Sequence, residues 1–532
     1  MTTRIPDDPF FTQTRRTCLR GLGLITVTAL APGLALSGCG QGRSAATTTD
    51  NPATDGPFDV DFRLTAHPDE VAIKRGPASE VWRYSAESLA GPDGVITPMD
   101  KGYLGPTLRL RRGQRVRAEL RNELPEDTTV HWHGLHVPPI VDGQPRHPIQ
   151  PGATRTVAFD VADRAGLYWY HSHAHGRDGG RVGFQSYAGL AGPLIIGDET
   201  EDALDLPAGE QELLLVLQDR RFNQANELEY LSGGMGEVMT RMRGFRGDEL
   251  LVNGQPAGER EVSTQAYRLR VLNGSNARIY KLAWSDGRPV TVLGTDGGLL
   301  TEPRDFPFVT LAPAERLDLW VDFGDNAPSD AVELVSEAFN AGGMGGGMGG
   351  MMNGGGMMGG MAMGAERLRV AGSRATERPA SGPALPARLA PDTGLPQVDD
   401  TTPVRPIELG MRMMRGFTIN GRRMDGTTVA DNEIVALGTT EIWEFHNATM
   451  MPHPMHVHGL QFGVVSRSGG DPDHDLRAGM VDAGRHDTVL VLPGERVRIS
   501  LAFEDFDGLY MLHCHNMEHE DNGMMRYYRV RE

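Results

Sequence analysis

Leu512-His513-Cys514-His515-Asn516-Met517-Glu518-His519-Glu520 is the stretch on which the reading of this chain turns. In an extended strand, successive side chains point to opposite faces. His513 and His515 therefore share one face and Cys514 takes the other. A thiol placed so would serve a different metal from its two neighbours, joined to them by a single residue of backbone. His519 and Met524 follow within reach. With a second imidazole from elsewhere in the chain, these would make the ligand set of a blue-copper electron-transfer site: two imidazoles, one thiolate and a weak thioether.

Three more histidine motifs stand upstream: His131-Trp132-His133, His171-Ser172-His173 and His453-Pro454-Met455-His456-Val457-His458. Ten of the 17 histidines fall in the four motifs. One His-x-His pair could be a zinc site, a surface pair or chance. Four together, with a cysteine inside the last, point to a metal constellation. His456 and His458 share a face and His453, three residues from His456, lies opposite. One face then collects His131, His133, His171, His173, His456, His458, His513 and His515, all imidazole and no sulfur. The other offers Cys514, His453 and His519, with Met524 in reach.

The N-terminus reads as a targeting segment, set apart from the fold. Thr14-Arg15-Arg16-Thr17-Cys18-Leu19-Arg20 resembles a twin-arginine export signal, and the apolar stretch behind it is too short and too interrupted to span a membrane. Leu36-Ser37-Gly38-Cys39 looks like a lipobox. Residues 1–38 are expected to be removed, leaving a lipid anchor through Cys39 and a chain in the periplasm or cell envelope. The alternative is a plain or uncleaved signal in which Cys39 is incidental. Of the three cysteines, only Cys514 then remains in the body. An exported body with a lone Cys has no internal disulfide, and metal coordination accounts for the thiol.

At 532 residues the chain exceeds one hydrophobic core, and about three domains are expected. Short β-rich runs bounded by Gly, Pro and Asn recur at 107–116, 154–161, 213–217, 267–272, 290–293, 317–323, 441–445, 488–492 and 497–503. No long amphipathic helix competes with them, so the chain reads as all-β sandwiches. The domains are placed at 58–198, 206–340 and 403–532. Between the last two, 341–402 reads as a segment rich in Met and Gly followed by an irregular linker. The net charge of −18, falling to −20 without the four Arg and two Asp of 1–38, argues against nucleic acid. It would repel small anions and attract metal cations.

The motifs, their order and their surroundings, including Trp169-Tyr170-His171-Ser172-His173 and Gly189-Leu190-Ala191-Gly192-Pro193-Leu194, resemble the multicopper oxidase family across the expected mature chain. The resemblance implies three consecutive cupredoxin-like Greek-key β-sandwich domains, the first and last meeting around the metal cluster. It implies four copper ions. Cys514, His453, His519 and Met524 would hold the type 1 ion, and His131 and His456 the type 2 ion. His133, His171 and His515 would hold one ion of the type 3 pair, and His173, His458 and His513 the other. A reducing substrate would give electrons at the type 1 site, and dioxygen would be reduced to water at the other three. The family's acidic proton-relay positions fall on Asp142 and Glu520, otherwise read as solvated loop carboxylates.

The substrate reading rests on methionine. Residues 341–364 are almost only Gly and Met, eight of them Met, without charge. Such a tract cannot pack a core and would serve as a linker. Thioethers are nevertheless soft ligands that select cuprous copper, and linkers usually favour Ser, Pro and charge. Met411, Met413, Met414, Met450 and Met451 add to them, and Met451, Met411, Met413 and Met414 are candidate substrate-copper ligands. The copper efflux oxidases resemble the chain in carrying a Met-rich insert. They place an Asp where this chain has Thr449, and their insert is rich in His, which is missing here. Cuprous oxidation is the favoured expectation. A laccase-like oxidase of phenols and a non-enzymatic copper buffer are the alternatives.

Overall fold

The computed structural model describes residues 47–48, 55–99, 101–176, 179–231, 233–327, 329–340, 364, 366–376, 382–412 and 416–532. The leader at 1–38, Cys39, the Gly/Met tract at 341–363, Met413 and Met414 lie outside them.

The described chain builds three β-sandwiches in succession. The first packs a sheet of Val60–Val71, Ser79–Ala90, Arg115–Asn122 and Thr154–Asp160, edged by Thr47–Thr48, on a second sheet. That second sheet holds Ile96–Thr97, Thr107–Arg111, Ala191–Gly197, Gly166–His171 and His131–His133. Residues 107–116, expected as one strand, are two strands in opposite sheets. Gly113, at φ +89°, makes the turn between them, a backbone region that favours glycine. Phe62, Tyr84, Leu108, Trp132, Tyr168 and Tyr170 fill the space between these sheets.

The second sandwich pairs a seven-stranded sheet, with Ala266–Asn273 and Arg316–Asp322 inside it, with a five-stranded one. Here the linker reading of 341–402 needs correction. Leu368–Ala375 runs antiparallel to Ala331–Ser336 and parallel to Glu259–Val262, and buries Val370 in the core. Its sequence, Leu-Arg-Val-Ala-Gly-Ser-Arg-Ala, has too few β-branched residues to announce a strand. Two neighbouring strands supply the hydrogen bonds that make it one.

The third sandwich carries Thr439–Asn447 and Glu495–Phe503 in one sheet and His453–Val457, Thr488–Val491, Gly508–Cys514 and Met525–Arg531 in the other. In each terminal sandwich, the sheet bearing histidines places them in register. His131 lies opposite His171, and His456 lies opposite both His513 and Thr488. Met455 faces Cys514 across the same pair of strands. Period-two alternation and this register together put imidazoles on one side of the sheet and the thiol on the other.

Candidate metal centre

Two donor groups form, both buried. In the first, Cys514 Sγ lies 3.4 Å from His453 Nδ1 and 3.6 Å from His519 Nδ1, and these two nitrogens are 3.3 Å apart. His519 reaches the site because Asn516 caps the short helix Met517–Asp521, its side chain accepting from His519 N. The chain then doubles back: Met524 N donates to His519 O and Cys514 N to Met524 O, which seats buried Met524 in the same core as Cys514. Burial pushes the Cys514 thiol well above its ordinary pKa. Burial likewise holds His519 down to about 3 and, with His519 beside it, His453 well below the usual imidazole value. Two neutral rings and a thiol that a cation must deprotonate make a soft set suited to copper.

The second group is histidine only. His131 Nε2 meets His456 Nε2 at 3.4 Å. His133 Nδ1 meets His171 Nε2 at 3.3 Å, with the His515 ring 5.0 and 5.3 Å from theirs. His513 Nε2 meets His173 Nε2 at 3.3 Å and His458 Nε2 at 2.9 Å. By donor-atom proximity His131 also groups with His133 and His171 and with His456 and His458, while His173, His458 and His513 form a set of their own. Burial, then the neighbouring imidazoles, keeps His133, His171, His173, His456, His458 and His515 well below the ordinary imidazole range. Among the described residues, neither ring nitrogen of His515 has a hydrogen-bond partner, nor does His173 Nδ1. Neutral, buried, converging nitrogens without protein partners fit metal ions, since unsatisfied buried polar atoms are otherwise costly.

Asp142 and Glu520 both border this group rather than lying in solvated loops, and both are fully buried. Asp142 accepts from His131 Nδ1 through its backbone carbonyl, at 2.7 Å, and from His458 Nδ1 through Oδ2, at 2.9 Å. Gln144 Nε2 also donates to Oδ2, and Oδ1 has no hydrogen-bond partner. Glu520 lies 3.3 Å from His173 Nε2 and 3.2 Å from His513 Nδ1, and neither of its oxygens completes a hydrogen bond.

Sequence reasoning missed two contributors. Asp487 is fully buried, its Oδ1 3.0 Å from His133 Nε2 and its carbonyl 2.8 Å from His456 Nδ1. Nothing in His486-Asp487-Thr488 marks it, because its partners lie 31 and 354 residues away in the chain. The other is the helix Gly234–Arg243 of the middle domain, whose Met242 carbonyl accepts from His519 Nε2 at 3.0 Å. Methionine at 235, 239 and 242, with helical spacing, was the available signal. Among the expected substrate-copper residues, Met411 is exposed and pairs across strands with Phe417, whose ring lies 4.1 Å from that of His519. Met451 is half-buried, and Thr449 Oγ1 bonds His453 Nε2 at 2.8 Å.

Models of the multicopper oxidase family match residues 83–201 and 400–532. The chain is similar to the multicopper oxidase mco of Staphylococcus aureus, 30% identical over 80% of this chain and 82% of that one. It is similar to the laccase of Bacillus subtilis, 28% identical over 80% of this chain and 88% of that one. Its fold is similar to the crystal structure of the McoA multicopper oxidase from the hyperthermophile Aquifex aeolicus. The TM-score is 0.74 at 34% identity, covering 92% of this chain and 98% of that one.

Proposed function

Because the chain belongs to the multicopper oxidase family, we propose that it oxidises cuprous ion one electron at a time and reduces dioxygen to water, using four copper ions. It is an oxidoreductase that takes dioxygen as acceptor. The observation carrying the reading is the pair of buried donor groups joined through Cys514. In this reading Cys514, His453, His519 and Met524 hold a type 1 ion, and His131 and His456 a type 2 ion. His133, His171 and His515 hold one member of a type 3 pair; His173, His458 and His513 hold the other. Bound copper supplies one-electron acceptance at the first group and oxygen reduction at the second.

The chain's own residues supply the rest. Cys514 is bonded through backbone to both His513 and His515, so a covalent route one residue long runs between the groups. Asp142 Oδ1 and the two oxygens of Glu520 are the atoms free to carry protons beside the histidines. Burial of every cluster histidine excludes bulk water.

Cuprous ion is favoured because exposed methionines stand on segments that touch the first group or adjoin it in sequence. Met411 and Met450 are about half exposed and Met242 37% exposed; the Met242 backbone carbonyl accepts from His519 Nε2, Met411 pairs across strands with Phe417 beside the His519 ring, and Met450 shortly precedes His453. Met451 is half-buried in the same segment, and Met413, Met414 and the tract at 341–364 add further thioethers to the sequence. Oxidation of phenols is the second reading, favoured by Thr449 standing where the copper efflux oxidases have a carboxylate. The twin-arginine-like leader and Cys39 support action at the cell envelope, on a lipid anchor. Turnover of cuprous ion against that of a phenol tests the choice, in the parent and in a chain whose eight Met of 341–364 are Ser. The Ser chain should lose cuprous oxidation and keep phenol oxidation; unchanged cuprous oxidation would remove that tract from the reading.

A further inference from the structure

Resting on the copper reading above, we propose that Asp487, clamped by Arg316 of the middle domain, is a positioning residue that fixes His133 with Nδ1 turned toward the cluster. His131, His171, His456, His458 and His513 each reach a protein oxygen through Nδ1 and turn Nε2 to a neighbouring ring. His133 is reversed. Its Nδ1 faces His171 Nε2 at 3.3 Å, and its Nε2 faces Asp487 Oδ1 at 3.0 Å.

The reversal follows from what surrounds the carboxylate. Arg316 grips both oxygens, Nη1 to Oδ1 at 2.7 Å and Nη2 to Oδ2 at 2.5 Å, and Thr488 Oγ1 donates to Oδ1 at 3.0 Å. A carboxylate held by a bidentate guanidinium is an acceptor only. His133 Nε2 must therefore be the donor, which leaves the lone pair on Nδ1. The clamp is itself fixed. Arg316 Nε donates to Leu167 O of the first domain at 2.9 Å, and Nη2 to Asp296 O at 3.0 Å. Asp296 Oδ2 accepts from the backbone N–H groups of Asp487 and Thr488. Arg316 and Asp296 are each 1% exposed and Asp487 is fully buried. Burial alone would lower the Arg316 pKa, but Asp296 and Asp487 raise it above the ordinary value, so the guanidinium stays charged. Gly134, beside His133 and at φ +89°, leaves the room: a Cβ there would come within 2.5 Å of Asp487 Oδ2 and 2.7 Å of Arg316 Nη2.

The middle domain thus reaches the cluster without supplying a ligand. Because the Asp487 carbonyl also holds His456 Nδ1, one residue orients a ring of the type 2 set and a ring of the type 3 set.

The test is Asp487→Asn, alone and with Arg316→Lys, read by copper content under chelator competition and by the visible and type 2 electron-paramagnetic spectra. An amide has one acceptor oxygen and must set N–H against either Arg316 or His133. The histidine cluster should therefore hold copper about 10- to 100-fold more weakly, while the blue colour from the Cys514 group stays. The double variant should lose little more than the single, since Arg316 acts through Asp487. Copper retention within about twofold of the parent in Asp487→Asn overturns the proposal. Histidine nitrogen spectra of the fully reduced parent chain decide it even if the variants do not fold: the proton belongs on His133 Nε2, and finding it on Nδ1 refutes the assignment. A parent chain that takes up no copper sinks the copper reading instead, and the same spectra of that chain then test the Asp487 bond alone.

Discussion

Acidifying the copper-free chain should unfold it, and the two buried donor groups set the size of the effect. His519 is fully buried and held down to about 3, against 6.5 for an ordinary imidazole. Between those values the unfolded chain binds a proton at this residue that the folded chain does not. Stability must therefore fall as pH drops below about 6.5 and keep falling until about pH 3. At about pH 4.5, two pH units below the ordinary value, this one ring costs about 2.7 kcal/mol. Seven further cluster histidines shift in the same direction by burial. The assay is urea unfolding at about pH 7 and about pH 4.5, comparing the copper-free parent with His519→Gln. The parent should lose about 2.7 kcal/mol more than the variant over that interval. Equal losses would show that His519 is not held neutral by burial, and the reasoning would fall. Copper binds only neutral rings, so the loaded protein should resist acid better than the copper-free one at every pH tested.

Three other outcomes are expected. Cys514→Ser should abolish the intense visible absorption and oxidase activity while copper stays in the histidine group; a variant that remains blue would contradict the type 1 assignment. Glu520→Gln and Asp142→Asn should slow turnover at unchanged copper content, because the Asp142 Oδ1 that an amide nitrogen would replace completes no hydrogen bond, His131 Nδ1 at 3.3 Å donating to the Asp142 carbonyl instead. This contrasts with Asp487, whose two oxygens are both filled, and copper loss from Asp142→Asn would reassign it as a positioning residue. Replacing Met411 and Met450 by Ser should lower cuprous turnover severalfold and leave phenol turnover within about twofold, measured under identical oxygen; an equal fall in both would mark these residues as structural.

Much of the candidate site was legible because its motifs obey local geometry. Alternation along a strand decides that His513 and His515 share a face that Cys514 does not, whatever the rest of the chain does. The same rule separated His453 from His456 and His458. Strand runs such as 497–503 carry their pattern in their own residues. Leu368–Ala375 does not, and became a strand only because Ala331–Ser336 and Glu259–Val262 offered hydrogen bonds.

Tertiary structure alone decided how the rings are aimed. An imidazole has two nitrogens, and which one faces a metal depends on what the other binds. For His133 that partner is Asp487, 354 residues along the chain, and Asp487 is held by Arg316 from the middle domain. For His519 it is a backbone carbonyl at Met242, 277 residues back. A backbone carbonyl has no side-chain signature, and a buried Asp looks in sequence like any solvated one. Residue types and spacing thus determine which groups gather and on which face. Contacts between distant segments, made only when three sandwiches close on one another, determine their orientation and so what they can bind.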